Sequence, residues 1–440
     1  MRFQRNALSR VVPRRDNGPM RIVHVANFYG PGSGGLTTAL EAIGKGYRRA
    51  GHEFTVIMPG RRNSRVETPA GLRITLAIFQ RGQPRRSLVP VKFLIERTLT
   101  ELAPDRLEVS DRLSLRHLGH WAHRNDVPTV MIAHERTKKW VFARATSNLP
   151  LTREPRVEAD SDSTLQHYQN IVCTTLASFE LFERMLPERA HHIPWGVDLQ
   201  EFSPLKWSAN TRRAHLRSHD VLLVHAGRLS RDKAPERSIS ALRELRRRGV
   251  DACLVIAGSG PSVGQLRRLA GDMPVEFVGF ISDRARLATL LASADVMLCP
   301  GPTDTFGISA LESLACGTPV VAASTSDLSE LLTPGAGVVA APTGLAFADA
   351  VQELLALRTE DRRTAARHRA TSHPWDATTR SLLEIHAAAA GARARRTSPP
   401  TLSSFRASTR SDAASGNRNR VFHQGAAPGP AIRCSTPVSG

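Results

Sequence analysis

The sequence predicts an α/β protein built from two parallel-sheet units of similar size. With 440 residues the chain is too long for one ordinary hydrophobic core, so two domains are expected. Short runs of Val, Ile and Leu alternate with longer helical patterns, and such near-continuous apolar runs are typical of strands buried on both faces of a parallel sheet. A polar stretch that contains proline, residues 198–213, separates the two halves.

The predicted strands are distributed evenly over the two halves. Those of the first half are Ile22–Ala26, Phe54–Met58, Leu72–Leu76, Thr129–Ala133 and Ile171–Thr174. Those of the second half are Val221–Ala226, Ala252–Ala257, Val275–Val278, Val296–Cys299 and Val320–Ala323. Each half therefore carries enough strands for a sheet of its own.

Helical patterns lie between the predicted strands. The segment PERSISALRELRRRG, for example, places Ile239, Leu242 and Leu245 on one face and charged residues on the other. After about residue 390 the composition changes to Ser, Ala, Pro, Gly and Arg, which bury too little apolar surface to offset chain entropy. We expect a flexible basic extension over 1–19, a first domain over 20–200, a second domain over 201–375, a C-terminal helix over 376–390 and a disordered basic tail over 391–440.

The chain is strongly basic, with a formal net charge of +20. Residues 391–440 carry +7 and residues 1–19 carry +4, which leaves +9 on residues 20–390. A basic core of this size suits polyanionic partners such as phosphosugars, nucleotide diphosphates or an anionic lipid surface. A basic nucleic-acid-binding protein is the alternative from another class, although no motif of specific nucleic-acid recognition accompanies the charge. Removal of residues 391–440 would abolish binding by such a protein and leave an enzyme almost unaffected.

The cysteines indicate neither a disulfide framework nor a zinc site. Five are present, without a CxxC spacing, and four of them lie in or beside apolar runs. We therefore expect a reduced cytosolic protein without a bound metal. No apolar run reaches the ~18 residues that a membrane-spanning helix requires.

The glycine-rich segment ANFYGPGSGGLTTAL leaves two alternatives open. It spells G-x-G-x-x-G with Gly30, Gly32 and Gly35, the fingerprint of a dinucleotide-binding turn. However, three residues separate the strand from the first glycine, Pro31 lies inside the motif, and the second strand is followed by Arg61 and Arg62 rather than by an acid. The arginines allow an NADP-binding enzyme, but a loop that brings backbone close to another ligand is favoured.

Two cations follow the first predicted strand of the second half. In VLLVHAGRLSRDKAPERSI, Arg228 and Lys233 lie between a strand and a helix with Pro235 near its first turn. Two cations at the carboxyl end of a parallel strand, next to a helix N-terminus, indicate a diphosphate site. The alternative is that both are solvated loop charges.

Carboxylates mark a second loop of the same half. The segment CPGPTDTFGISALESLACGTPVVAAS predicts a strand end at Cys299, a turn at Phe306–Gly307 and a helix over Ile308–Ala315. Asp304 precedes that helix, and Glu312 lies two turns along it in apolar surroundings. Because a carboxylate repels a diphosphate, we expect these acids to bind hydroxyl groups of a sugar or ribose.

These motifs together resemble retaining glycosyltransferases of the GT-B type in family 4, over roughly residues 20–385. The resemblance is carried by GSGGL, His134–Glu135, IPWGVD, GRLSRDK, FVGF and, most specifically, DTFGISALESLACGTPVVA. It implies two Rossmann-like domains that face each other across a cleft. The opening MRIVHVANFYGPGSGG is also similar to actinobacterial GDP-mannose-dependent transferases that build phosphatidylinositol mannosides.

The resemblance also implies roles for individual residues. His134 would face the donor sugar, Arg228 and Lys233 would bind the diphosphate and stabilise the departing nucleotide, and Glu312 would hold the ribose hydroxyls. The family's first acid is glutamate, whereas this chain has the shorter Asp304, and Trp195 stands where the family usually has asparagine. The remaining expected donor-binding residues are Gly34, Gly35, Val278, Phe306 and Gly307.

The implied reaction is transfer of mannose from GDP-mannose to a glycolipid acceptor, a phosphatidylinositol mannoside, with α-1,6 addition to the dimannoside as one form of it. Neither a cofactor nor a metal is implied. A family 4 enzyme with a UDP-sugar donor, or with another lipid or glycan acceptor, is the alternative within the class. The implied location is cytoplasmic, peripheral at the inner face of the plasma membrane, without a specific nucleic-acid partner.

A basic amphipathic stretch, Arg85 to Leu102, has two interpretations. Its apolar side holds Val91, Leu94, Ile95 and Leu102, and basic residues flank its start. This pattern is typical of helices that bind anionic lipid surfaces. It is equally typical of a helix that packs on a sheet, which any α/β domain requires.

Overall fold

The computed structural model describes residues 18–27, 34–60, 62–77, 92–110, 115, 117–133, 167–302 and 304–397. Within them the chain forms two sheets, as the alternating pattern predicts. The strands of the first sheet are β1 (Arg21–Ala26), β2 (Glu53–Gly60), β3 (Ser64–Thr68), β4 (Gly71–Ala77), β5 (Arg106–Ser110), β6 (Thr129–Ala133), β7 (Asn170–Cys173) and β8 (Ala190–His192). Those of the second are β9 (Val221–Ala226), β10 (Ala252–Ala257), β11 (Val275–Gly279), β12 (Val296–Cys299), β13 (Val320–Ala323) and β14 (Gly337–Ala340).

The helices connect these strands. In the first half they are α1 (Gly34–Arg49), α2 (Lys92–Leu102), α3 (His117–Arg124) and α4 (Leu176–Met185). In the second half they are α5 (Ala209–Leu216), α6 (Glu236–Arg247), α7 (Val263–Ala270), α8 (Arg284–Ser293), α9 (Ile308–Ala315), α10 (Gly344–Ala356), α11 (Thr359–Thr371) and α12 (Trp375–Thr397). The observed α12 is longer than the expected helix over 376–390. None of the helices in the described ranges combines the length and apolarity that crossing a bilayer requires.

The strand order places a topological switch point in each sheet. The first sheet runs β3-β4-β2-β1-β5-β6-β7-β8 and the second runs β11-β10-β9-β12-β13-β14. Every described pairing is parallel except that of β3 with β4, which departs from the expectation of purely parallel sheets. Successive strands are therefore added first on one side of β1 or β9 and then on the other side, so the switch points lie between β1 and β5 and between β9 and β12. Ligands of open parallel sheets bind at the carboxyl ends of strands flanking such a point.

Several strands were missing from the sequence prediction. β5 lies beside β1 at the switch point, yet its sequence RLEVS carries two charges. All five of its residues are buried, because Arg106 and Glu108 find partners elsewhere in the chain. β3, β8 and β14 are short edge or near-edge strands whose local apolar signal is weak.

The helix α2 packs on the first sheet. Ile95 and Leu99 are fully buried in the core of the first half, and Leu94 and Leu102 pack against the same core. This confirms the packing interpretation of the amphipathic stretch, and the proposed lipid contact through its apolar side is wrong. Val91 and the basic start of the stretch lie outside the described residues. Phe93, in contrast, is 80% exposed on α2.

A buried carboxylate joins the C-terminal helix to the first sheet. Glu108 on β5 accepts hydrogen bonds from His24 Nδ1 on β1 (2.8 Å), from Tyr47 on α1, and from His386 Nε2 on α12 (2.8 Å). Burial alone would raise the pKa of Glu108, but the hydrogen bonds and charges of the two histidines hold it well below its usual range. Arg106 adds a hydrogen bond from its Nε to the carbonyl oxygen of His386 (3.0 Å). Thus α12, which follows the second domain in sequence, is anchored on the first.

A second contact joins the two halves at their carboxyl edges. The backbone N–H of Leu176, at the start of α4, donates to Glu330 Oε2 at 2.6 Å. Glu330 belongs to a 3₁₀ turn, Asp327–Leu331, of the second half. Burial raises the pKa of Glu330 to about 7 in spite of this hydrogen bond. The folded protein therefore binds a proton at this site more tightly than the unfolded chain does.

We expect substitution of Glu108 to be strongly destabilising. Glu108→Ala leaves two histidines and a tyrosine without their buried partner, so the free energy of unfolding should fall by about 3 kcal/mol. Urea denaturation followed by circular dichroism measures this change. Glu101→Ala, which removes an exposed ion pair with Arg65, is the matched control and should change stability by less than about 1 kcal/mol. Equal losses in the two variants would contradict the anchoring role.

Glu330 should make stability depend on pH. Its pKa is raised in the folded state, so its contribution to stability is lost as pH rises from about 4.5 to about 7. Glu330→Gln removes this loss, and the Tm of the variant relative to wild type should be higher at pH 8 than at pH 4.5. Thermal denaturation at both pH values measures the difference. The exposed Glu183→Gln on α4 is the control, and an identical pH trend in both variants would refute the assignment.

Candidate active site

The candidate site lies at the switch point of the second sheet. Arg228 and Lys233 follow β9, and Asp304 follows β12, which is the neighbouring strand on the other side of the switch point. The Lys233 ammonium and the Asp304 carboxylate form an ion pair that bridges the two loops. The structure thus brings together two loops whose residues the sequence predicts separately, and it gives Asp304 a cationic partner that the sequence does not predict.

The loop after β9 is held in a defined shape. Lys233 ends a 3₁₀ turn, and Ala234 follows in the left-handed conformation with φ of 46°. The next residue, Pro235, caps α6, whose apolar face contains the predicted Ile239, Leu242 and Leu245. A fixed turn directs Lys233 towards the switch point rather than into solvent, and its side chain is only 32% exposed.

Arg228 supplies a second cation with spare hydrogen-bonding capacity. Its Nη2 lies 3.4 Å from Asp232 Oδ2, while its Nε is buried with no hydrogen-bond partner among the described residues. Burial, and then the charge of Lys233, lower the pKa of nearby His225 to about 4, so that imidazole is neutral near pH 7. Arg228 and Lys233 thus place two cations at the end of β9, each beside one carboxylate.

Gly307 forms the turn from β12 into α9. It is the N-cap of α9 in the left-handed conformation, with φ of 62°, and a Cβ there would lie 2.1 Å from Leu328 Cδ2. Only glycine satisfies both constraints. The preceding Phe306 is buried with its ring 6.1 Å from that of His373. The helix spans Ile308–Ala315 as predicted, and it begins at the same edge of the sheet as Lys233.

Asp304 is fixed in the wall of the site. It is 8% exposed, and its backbone oxygen accepts from Asp327 N–H at 2.9 Å. A Cβ on Gly301 would lie 2.5 Å from Asp304 Oδ2, so the absence of a side chain at that position lets the carboxylate approach the strand end.

Glu312 occupies a buried position on α9. Its side chain is 3% exposed and forms an ion pair with Arg284 at the start of α8. Burial raises the pKa of Glu312, and the neighbouring Arg284 opposes that rise. Sequence reasoning missed Arg284, because nothing in the local sequence shows that the start of α8 lies beside the second turn of α9.

The start of α1, at Gly34 and Gly35, faces the start of α9. A Cβ on Gly35 would lie 3.9 Å from Ile308 Cδ1, so the start of α1 and the start of α9 approach each other. A Cβ on Gly34 would meet no atom of the described residues within 4 Å. The positive ends of the two helix dipoles therefore approach each other, an arrangement that attracts anions.

Val278 and His134 are the remaining predicted site residues. Val278 is half-buried near the end of β11, at the same edge of the sheet as Lys233 and Asp304. His134 lies outside the described residues, directly after β6.

Trp195, at the position where the family usually has asparagine, is buried. Its ring centroid lies 6.1 Å from that of Trp375, so Trp195 packs against the start of α12. Among the described residues no group of His, Cys, Asp or Glu has the arrangement of a metal site.

The four described cysteines are all buried, and none of them is in a disulfide bond. Burial raises the pKa of Cys253 to about 11 and that of Cys316 to about 12, so both remain protonated thiols near neutral pH. They serve as small apolar residues, as the sequence predicts.

Two family models together match most of the described chain. The model "Glycosyltransferase Family 4" matches residues 33–201, and "Glycosyl transferases group 1" matches residues 209–371. Both matches are to glycosyltransferase models, and the first begins inside the glycine-rich segment, so the alternative of an NADP-dependent enzyme is wrong.

Curated relatives agree with these models. The chain is 44% identical over 367 residues to the GDP-mannose-dependent alpha-(1-6)-phosphatidylinositol dimannoside mannosyltransferase of Mycobacterium tuberculosis (strain ATCC 25177 / H37Ra), covering 83% of this chain and 95% of that protein. It is 31% identical over 293 residues to the D-inositol 3-phosphate glycosyltransferase of Xylanimonas cellulosilytica, covering 61% of this chain and 68% of that protein.

Solved structures share the fold. Sucrose-phosphate synthase from Thermosynechococcus elongatus superposes with a TM-score of 0.67 at 20% identity, covering 85% of this chain and all of that one. A glycosyltransferase involved in lipopolysaccharide biosynthesis gives a TM-score of 0.62 at 17% identity, covering 83% of this chain and 99% of that one. The predicted GT-B fold is confirmed.

Proposed function

The chain belongs to the glycosyltransferases whose family models match both of its halves, and from that premise we propose that it transfers a mannosyl group from GDP-mannose to a phosphatidylinositol mannoside. The observation that carries the proposal is the pairing of Lys233 with Asp304 across the switch point, with Arg228 and the start of α9 at the same edge. The name of the Mycobacterium tuberculosis relative supports the donor, the dimannoside acceptor and the α-1,6 linkage.

The proposed donor site distributes its tasks over several elements. Arg228, Lys233 and the N–H groups at the starts of α1 and α9 neutralise the diphosphate, with Gly34, Gly35 and Gly307 allowing close approach. Glu312 accepts hydrogen bonds from the ribose, and Val278 and Phe306 line the nucleotide and sugar. Asp304 orients Lys233 and lies near the position of the sugar. His134 is proposed to face the anomeric carbon.

The proposed reaction retains the anomeric configuration. The acceptor hydroxyl approaches the anomeric carbon from the face that GDP leaves, a new glycosidic C–O bond forms, and the bond to the diphosphate breaks. The departing diphosphate takes the hydroxyl proton. The protein contributes by holding both substrates in position and by neutralising the charge that develops on GDP, for which Arg228 and Lys233 are suited.

The acceptor requires contact with a membrane, and we propose a cytoplasmic enzyme that binds the inner face of the plasma membrane peripherally. The basic chain, with its net charge of +20, supports attraction to anionic lipid. On α2, exposed Phe93 stands beside exposed Lys92, and Arg97 is also exposed. An aromatic ring flanked by cations suits insertion between anionic headgroups.

Replacement of Lys233 should abolish transfer. The full chain, incubated with radiolabelled GDP-mannose and purified phosphatidylinositol dimannoside, should form a labelled product that Lys233→Ala reduces by at least about a hundredfold, the scale of one lost electrostatic group in a transition state. Lys206→Ala, which removes a cation paired with Glu201 in the second domain, is the matched control. Unchanged turnover in Lys233→Ala, or transfer from UDP-sugars alone, would refute the proposed site or donor.

Phe93 should contribute to vesicle binding. Co-sedimentation with phosphatidylglycerol-containing vesicles should weaken by about tenfold in Phe93→Ala, since a phenyl ring leaving water contributes roughly 1.5–3 kcal/mol when fully buried. Leu205→Ala is the control, because Leu205 is 94% exposed but belongs to the second domain. Binding that is equal on neutral and anionic vesicles would contradict the membrane proposal.

A further inference from the structure

Arg284 is the cation closest in contact with Glu312, and it belongs to a different helix. Its guanidinium pairs with the Glu312 carboxylate, which is 3% exposed, whereas the Arg284 side chain itself is 40% exposed. One end of the ion pair is therefore buried in α9 and the other reaches the solvent.

A second contact fixes the direction of Arg284. Its guanidinium lies over the ring of Phe202, 4.6 Å from the ring centroid. Phe202 is fully buried in the connection between the two domains, residues 198–213. Its carbonyl oxygen accepts a hydrogen bond from Arg367 at 2.8 Å. A cation over an aromatic face is attracted to it, so Arg284 is held by Phe202 as well as by Glu312.

The start of α8 is also anchored. Asp283 is the N-cap of α8, and its Oδ1 accepts from the N–H groups of Ala285 at 2.9 Å and Arg286 at 3.2 Å. This cap places the first helical residue, Arg284, at a defined position. The backbone, the aromatic ring and the carboxylate thus restrict Arg284 from three sides.

The chemistry of hydroxyl recognition explains why such a restricted cation matters. An ionised carboxylate accepts from two hydroxyl groups at once, whereas a protonated carboxyl group loses part of this capacity. Glu312 is buried, and burial favours the protonated form. An adjacent guanidinium favours the ionised form; Arg284 Nη2 donates to Oε1, so Oε2 is the oxygen that would accept from a ligand.

We propose that Arg284 is a positioning residue that holds the Glu312 carboxylate in the state and orientation in which it accepts hydrogen bonds from the two ribose hydroxyls of the donor. The inference rests on the proposed function insofar as Glu312 is the ribose acceptor. Arg284 does not touch the reacting atoms; it acts through Glu312. It also couples the ribose site to Phe202 in the connection between the domains.

The test compares two nucleotides that differ only in the ribose hydroxyls. Calorimetric titration of the full chain with GDP and with 2′,3′-dideoxy-GDP gives a ratio of dissociation constants for each variant. In wild type the loss of the hydroxyls should weaken binding by roughly tenfold or more, as expected for hydrogen bonds to a charged group. In Arg284→Met, GDP should bind roughly tenfold more weakly while dideoxy-GDP binds as before, so the ratio approaches one.

Two further variants separate positioning from a general effect. Arg284→Lys keeps a cation and should restore part of the ratio. Arg267→Met removes a guanidinium that also lies over an aromatic ring, that of Phe277 at 5.0 Å, and should leave the wild-type ratio unchanged. Thermal denaturation of each variant verifies that it is folded.

The outcomes distinguish this inference from the proposed donor. An equal weakening of both nucleotides in Arg284→Met, or unchanged GDP binding, overturns the inference. The same pair of titrations with UDP and 2′,3′-dideoxy-UDP covers a different donor: if only UDP binds, the GDP proposal fails, and the uridine ratio decides on Arg284. A wild type that is indifferent to the ribose hydroxyls of the nucleotide it binds overturns the inference together with the role of Glu312.

Discussion

The buried carboxylate of Glu108 is the constraint that holds the last helix of the chain on the first sheet. Ionised and fully enclosed, it must have hydrogen-bond donors, and the structure supplies them from β1, α1 and α12. Because one donor is on the last helix, the requirement of a single charge fixes an element more than two hundred residues away in sequence. An apolar side chain at position 108 would leave His24, Tyr47 and His386 without this partner.

Opposite charges also organise the candidate site, but there each ion pair leaves its cation partly exposed to solvent. Lys233 with Asp304, and Arg284 with Glu312, each join a cation from one loop or helix to an acid from another. In each pair the acid is the more buried member and the cation remains accessible from solvent. The acids are therefore stabilised by the fold before any ligand binds, and the cations keep donors for a diphosphate or a ribose nearby.

Local sequence predicts the elements whose burial is purely apolar and fails where buried charges find distant partners. β9, β10, β12 and β13 match their predicted bounds, because runs of Val, Leu and Ala describe both faces of these strands. β5 does not, because the partner of Glu108 is His386 and no local pattern reveals it. The same reason limits the prediction of the site. The loop motifs predict Lys233, Asp304 and Glu312 individually. The contacts of Arg284 with Glu312 and Phe202 depend on how α8, α9 and the connection pack together, which no local pattern reveals.

The anchoring of α12 on the first domain determines how this architecture can be recombined. Although α12 follows the second domain, it belongs physically to the first, where Thr378 also donates to the carbonyl oxygen of Pro194. The match of the second family model ends at residue 371, just before α12 begins. A chimaera that imports a donor-binding domain from a relative therefore requires two junctions, one in the connection before α5 and one between α11 and α12, so that the last helix stays with the sheet that holds Glu108.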